Sequence, residues 1–103
     1  APTGYDVLKM ATRGSARLLG RDDIGQLAVG KCADLFMIDS RRLELVGCGC
    51  DAGSVLGTVG VRGPVDCTVV QGRVTVEGGR LVTVDEEALA REAGAKCRAY
   101  LAL

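Results

Sequence analysis

The sequence predicts one α+β domain over residues 1–103, a small β-meander flanked by an N-terminal and a C-terminal helix. Three observations predict it. Apolar residues recur at helical spacing near both chain ends. Between Val65 and Val82 apolar and polar residues alternate, with glycine-marked turns between the runs. The stretch Ala33–Asp39, ADLFMID, is apolar on both faces, as in a strand covered on both sides.

The elements follow in order. In PTGYDVLKMATRGSARLLG, Thr3 and Asp6 have the spacing of an N-terminal capping pair. Tyr5, Leu8, Ala11, Thr12, Ser15, Leu18 and Leu19 form one stripe to be buried, and Gly20 supplies the stop, so residues 4–19 read as a helix. Gly14 and Ser15 weaken that helix but permit close packing against a neighbour. After the polar turn Arg21-Asp22-Asp23, Ile24, Gly25 and Leu27 suit a short strand or extended arm. Val29-Gly30-Lys31 reads as a turn into the strand, and Ser40-Arg41-Arg42 as its solvated end. Residues 43–64, broken by six glycines, read as a long loop with a short strand or turn around 55–61.

The chain then becomes regular. Val65, Cys67 and Val69 point one way, and Asp66, Thr68 and Val70 the other. Gln71-Gly72 and Gly78-Gly79 make tight turns into Val74-Thr75-Val76 and Arg80-Leu81-Val82, completing the meander. Asp85 is a favourable N-cap, and Glu86 and Glu87 complement the positive end of the helix dipole. Val84 and Leu89 have the spacing of a hydrophobic staple. Glu87–Arg91 and Glu92–Lys96 are i,i+4 pairs, and Leu89, Ala93, Cys97, Tyr100 and Leu101 form an apolar stripe. Residues 86–100 read as a helix.

Composition narrows the function. A chain of 103 residues should bury roughly 60–70% of its unfolded surface. Net charge is zero and aromatics make up 3%, so neither a nucleic-acid nor an acidic-membrane partner is indicated. No apolar run is long enough to cross a membrane, and the N-terminus lacks the pattern of a secretory signal. Five cysteines without a CxxC pair read as reduced thiols, which suggests a cytoplasmic protein. Histidine is absent, and it is the residue on which zinc sites and neutral-pH acid–base catalysis most depend.

No motif supplies catalysis. Cys48, Cys50 and Asp51 do not have a recognisable metal-ligand spacing, and a thiol activity at Cys48 or Cys50 would require a depressed thiol pKa. Neither phosphate-loop pattern occurs among the glycines. Asp34 and Asp39 lie at odd spacing on one strand, hence on opposite faces. No catalytic, cofactor-binding or metal-binding residue is assigned.

The pattern A-T-x-x-x-A-x-x-L-G, then I-G-x-L-x-x-G-K-x-A-D-L, then V-x-x-V-x-V-x-G-x-x-V resembles the C-terminal part of the amidohydrolase superfamily. Here it is carried by Ala11, Thr12, Ala16, Leu19, Gly20, Ile24, Gly25, Leu27, Gly30, Lys31, Ala33, Asp34 and Leu35, then by Val65, Val69, Val70, Gly72, Arg73 and Val74. LLGRDDIG and GRLVTVDEEALA are most similar to the nucleobase and triazine deaminase branch, near the 8-oxoguanine deaminases. The resemblance implies that residues 4–19 correspond to the last helix of a (β/α)₈ barrel and residues 24–82 to strands of a sandwich assembled from both chain ends. Leu35, Met37, Val69 and Val74 would fill its core, while Lys31 and Asp34 frame a strand start. The His and Asp that bind zinc or a similar divalent metal in that family lie on barrel strands, and no such motif occurs in this chain. Where related deaminases often carry His-Asp-Pro, this chain has Cys50-Asp51-Ala52.

The expected function is therefore the non-catalytic C-terminal part of an amidohydrolase acting on C–N bonds, inactive alone. Its partner would be the missing barrel. The alternative is an independent, non-catalytic oligomeric module whose open sheet edges pair between copies.

Overall fold

The structure is a computed structural model that describes residues 1–47, 49 and 51–102. The N-terminal helix runs through three consecutive stretches: α1 Gly4–Lys9, a π-helical turn Met10–Gly14, and α2 Ser15–Leu18. Its start is the capping box read from the sequence. Thr3 N donates to Asp6 Oδ2 at 2.9 Å, and Asp6 N donates to Thr3 Oγ1 at 3.1 Å. The π turn was not foreseen. Ser15 Oγ donates to the Met10 carbonyl five residues back, and Thr12 Oγ1 to Leu8 O at 2.7 Å, so hydroxyls compete for the backbone acceptors where the helix widens.

Residues 21–34 hold no strand; Ile24, Gly25 and Leu27 form a bent arm, not the short strand considered above. The sheet follows. Strand β1 is Leu35–Met37, β2 Cys67–Val70, β3 Arg73–Glu77 and β4 Arg80–Leu81, antiparallel in the order β1-β2-β3-β4. Gln71 and Gly72 both have positive φ, as do Gly78 and Gly79, which matches two-residue turns of the kind that join twisted strands. Between β2 and β3 the register slips: Val69 faces Val74 but Thr68 faces Val76. Thr75 is the extra residue, and its hydroxyl donates to Thr68 O at 3.3 Å across this bulge. Among the described residues the strands form one sheet, so the β-meander is present and the second layer of a sandwich is not.

Residues 43–64 are not a long loop. A 3₁₀ turn spans Leu43–Leu45, and helix α3 spans Ala52–Val59, where the sequence suggests a short strand or turn around 55–61. The glycines that hide α3 in the sequence are what let it form its contact. A Cβ built on Gly57 would lie 1.9 Å from Gly4 O, and one on Gly4 would lie 1.9 Å from Ser54 O. The two helices cross backbone against backbone, and tertiary packing outweighs the low helix propensity. Leu45, 3% exposed, is buried beneath this excursion.

Helix α4, Glu86–Leu101, begins as expected, with Asp85 Oδ1 accepting from Ala88 N at 3.0 Å. Glu92 pairs with Lys96 at 3.2 Å, but Glu87 turns to Arg80 instead of Arg91. The stripe on α4 is uncovered: Leu89 and Leu101 are half-exposed and Tyr100 is nearly bare. The expected stripe of the first helix also fails to bury, with Leu18 89% exposed, while Ala16, outside that stripe, is buried. In the sheet, Met37 and Val74 are exposed, so they do not fill a core in this chain.

The total surface explains these departures. The chain exposes 7882 Å², whereas a self-contained protein of its mass exposes roughly 5,500 Å². Its radius of gyration is 17.5 Å, against about 13 Å for a compact domain of this length. The expected burial of 60–70% is not reached, because the apolar faces have no second layer to meet.

Candidate functional site

The apolar face centres on β1, an edge strand. Phe36 and Met37 on it are 50% and 52% exposed. Beside it lies a cavity of about 360 Å³. Its walls are Thr12, Ser15 and Leu19 of the N-terminal helix, Ile24 and Leu27 of the arm, and Leu35 and Phe36 of the strand. The arm is seated on the helix at one point. Gly25, with φ +90°, is so close that a Cβ there would lie 2.8 Å from Ala16 Cβ and 2.9 Å from Thr12 O. That contact accounts for the Ala and Gly of the sequence pattern at Ala16 and Gly25: a small side chain on the helix and none on the arm allow it.

Asp34, at the strand start, reaches across to the β2–β3 turn, where its Oδ1 accepts from Gln71 N at 2.7 Å. Gly72 N donates to Ala33 O at 3.0 Å alongside it. Asp34 thus holds the hairpin turn against β1. Lys31 Nζ donates to the Asp22 carbonyl and closes the arm. Asp34 and Asp39 do not come together. Asp39 accepts from the Arg41 guanidinium and backbone, which holds its pKa at about 2.

Arg42 is not part of a solvated strand end. Its side chain is 19% exposed. Its guanidinium donates to Asp66 Oδ2 at 3.1 Å and to Pro64 O at 2.7 Å. Asp66 also accepts from Asp39 N at 2.6 Å, and this backbone donor, followed by Arg42, holds its carboxyl below the ordinary value. Arg42 therefore fastens the two ends of the 43–64 excursion. Sequence reasoning missed it because its acceptors lie more than twenty residues away. Ser40 and Arg41 do fit the solvated reading, Arg41 at 89% exposure.

Chemically reactive groups are few. Cys32 Sγ donates to Asp23 Oδ2 at 3.3 Å, and this bond, with burial adding to it, pushes the Cys32 thiol above its ordinary pKa. A thiol so held is a poor nucleophile. Cys67 and Cys97 are free thiols, and Cys48 and Cys50 lie outside the described residues. Among the described residues no group of three or more His, Cys, Asp or Glu is placed to hold a metal ion, so the donors present do not fit the family's metal centre. No helix of the described residues is long and apolar enough to cross a membrane.

What remains is scaffold built to a specific pattern. Residues 3–75 match the profile described as "Amidohydrolase family", across the helix, arm, sheet edge and hairpin just described. The chain belongs to the amidohydrolase family. It is 47% identical over 92 residues to hydroxydechloroatrazine ethylaminohydrolase of Pseudomonas sp. strain ADP, an alignment covering 89% of this chain and 19% of that protein. Over 39 residues, 36% of this chain and 9% of that one, it is 64% identical to 8-oxoguanine deaminase of Pseudomonas aeruginosa. The crystal structure of atrazine chlorohydrolase TrzN from Arthrobacter aurescens TC1 complexed with zinc superposes on 90% of this chain with a TM-score of 0.80 at 35% identity, using 20% of that structure. This amidohydrolase chain thus spans about a fifth of the length of its relatives. The resemblance to the triazine and nucleobase deaminase branch is supported by sequence and by fold.

Proposed function

We propose that this chain is the non-catalytic C-terminal part of an amidohydrolase that acts on C–N bonds of a triazine or purine-like ring. The observation that carries the reading is the uncovered apolar surface of a chain that matches a fifth of its relatives. The excess, of the order of 2,000 Å², has the size of an obligate interface. It is spread over Leu18 and Leu19, the β1 edge and α4, which one enveloping partner would cover. That partner is the catalytic barrel, with strands from elsewhere in the parent completing a composite sandwich at β1. In the parent, zinc or a similar divalent metal bound by barrel residues would supply activated water. This segment's own residues hold shape: Gly25 seats the arm, Asp34 holds the hairpin, and Arg42 fastens α3. Residues 1–103 would act as one unit, in a cytoplasmic enzyme.

The second reading, an independent oligomeric module, draws on the same open edge at β1. One experiment separates them. Light scattering is measured on the 103-residue chain over a range of concentrations, and amine and ammonia release from hydroxylated s-triazines and 8-oxopurines is assayed on the same samples. The expected result is association without fixed stoichiometry and no release. A discrete closed oligomer without release would assign the independent module. Release by the chain alone would overturn the non-catalytic reading.

A further inference from the structure

The charge on the N-terminal helix is not distributed like the charge of the whole molecule. The chain is neutral overall, yet no acidic residue occurs between Asp6 and Asp22. In that interval Lys9, Arg13, Arg17 and Arg21 follow one another at intervals of four. Residues four apart on a helix are neighbours, so Lys9, Arg13 and Arg17 set cation beside cation along it, an unfavourable arrangement in the absence of an anion, while Arg21 lies beyond the helix end at Leu18. Lys9 is engaged with the Tyr5 ring, 4.9 Å from its centre.

The other three cations open onto a cleft of about 280 Å³. Arg13 and Arg17 form its helical wall, Arg21 and Lys31 close it from the arm, and Asp22 is the one carboxylate among its lining residues, so the four cations outnumber the acid there. Two of the four are held in place. Arg21 donates through Nε and Nη2 to both oxygens of Asp23, at 2.9 and 2.7 Å, and its Nη1 has no hydrogen bond among the described residues. Lys31 gives one hydrogen to the Asp22 carbonyl and keeps two. Arg13 and Arg17 have no ion-pair partner among the described residues. Positioned donors beside two guanidinium forks without an ion-pair partner are the arrangement that oxyanions select, and arginine, which can bond two oxygens of one anion at once, suits it better than lysine.

The geometry points to an oxyanion site in this cleft, with Arg13 and Arg17 as the binding forks and Arg21 and Lys31 as positioned donors. A phosphoryl group and a carboxylate share this chemistry. The cleft adjoins the apolar cavity at β1, sharing Ala16, Ile24 and Gln26 with it, but its four cations line only the cleft.

The test follows the arginine Nε–H signals of the ¹⁵N-labelled chain, diluted below the concentration at which light scattering detects association, during titration with inorganic phosphate and, separately, with acetate, at ionic strength held constant with chloride. Saturable shifts at Arg13 and Arg17 with phosphate assign a phosphoryl ligand, and saturable shifts with acetate assign a carboxylate such as a protein side chain. In either case Arg13→Gln and Arg17→Gln should each weaken binding about tenfold, with helical circular dichroism unchanged. Arg98→Gln on α4 should leave binding unaltered. Linear, unsaturated shifts with both anions overturn the site, as would an equal loss in the Arg98→Gln control.

Discussion

Gly4 and Gly57 meet backbone to backbone where α1 crosses α3. A methyl group on Gly57 would sit 1.9 Å from the Gly4 carbonyl oxygen and 3.0 Å from its Cα. No rotamer change relieves that clash, because both partners are main chain. Gly57→Ala should push α3 away and destabilise the excursion by about 1–3 kcal/mol. Amide hydrogen exchange of residues 52–59 measures it. Unchanged protection would mean that α3 is not held by this crossing.

Gly25 and Gly30 separate close approach from backbone conformation. Both have positive φ, +90° and +86°. A Cβ on Gly25 meets Ala16 and Thr12, whereas one on Gly30 meets nothing within 4 Å. Gly30→Ala should cost about 1–2 kcal/mol, from strain alone. Gly25→Ala should cost about 2–4 kcal/mol, because overpacking against the helix is added. Denaturant unfolding of the two variants orders them, and equal losses would remove the close contact from the explanation.

Arg42 predicts a loss that lysine cannot repair. Its guanidinium bonds Asp66 and the Pro64 carbonyl at the same time, with the Arg62 carbonyl at 3.5 Å. Lysine carries a point charge without the fork. Arg42→Gln and Arg42→Lys should both speed amide exchange in residues 43–64, by about five- to tenfold for the first and less for the second. Full rescue by lysine would show that charge, not geometry, fastens the excursion.

Acid should loosen the arm and the end of β1. Asp23 is held at a pKa of about 2 by the Arg21 guanidinium and then by Cys32. Asp39 is held at about 2 by the Arg41 side chain and backbone. Both are depressed from 3.8, so their contribution is present above about pH 4 and is lost as pH falls toward 2. Asp23→Asn and Asp39→Asn should each flatten the dependence of unfolding on pH in that window and change little between pH 6 and 8. Both pairs are exposed, so added salt should shrink the effect. A slope in this window that survives both substitutions would assign it to other carboxylates.

The sequence and the structure part company where contacts are long. The capping box at Thr3 and Asp6, the cap at Asp85 and the turns at Gln71-Gly72 and Gly78-Gly79 form as read. The π turn in the first helix was invisible because it depends on which carbonyl Ser15 chooses. Helix α3 was invisible because its glycines signal loop locally and close packing globally. Arg42 reads as a solvated strand end because its acceptors, Pro64 and Asp66, lie more than twenty residues on, just before β2.

By itself the sequence determined the terminal helices, the antiparallel hairpins and the family, since these rest on residues a few positions apart whose side chains cap, alternate or turn the chain. Only the tertiary structure decided that α3 exists and that Asp34 and Arg42 bind across the fold. It alone also showed that the stripes of the first helix and of α4 stay uncovered. Burial depends on the atoms brought against a face, and those come from distant parts of a chain or from outside it; no local pattern records whether they arrive.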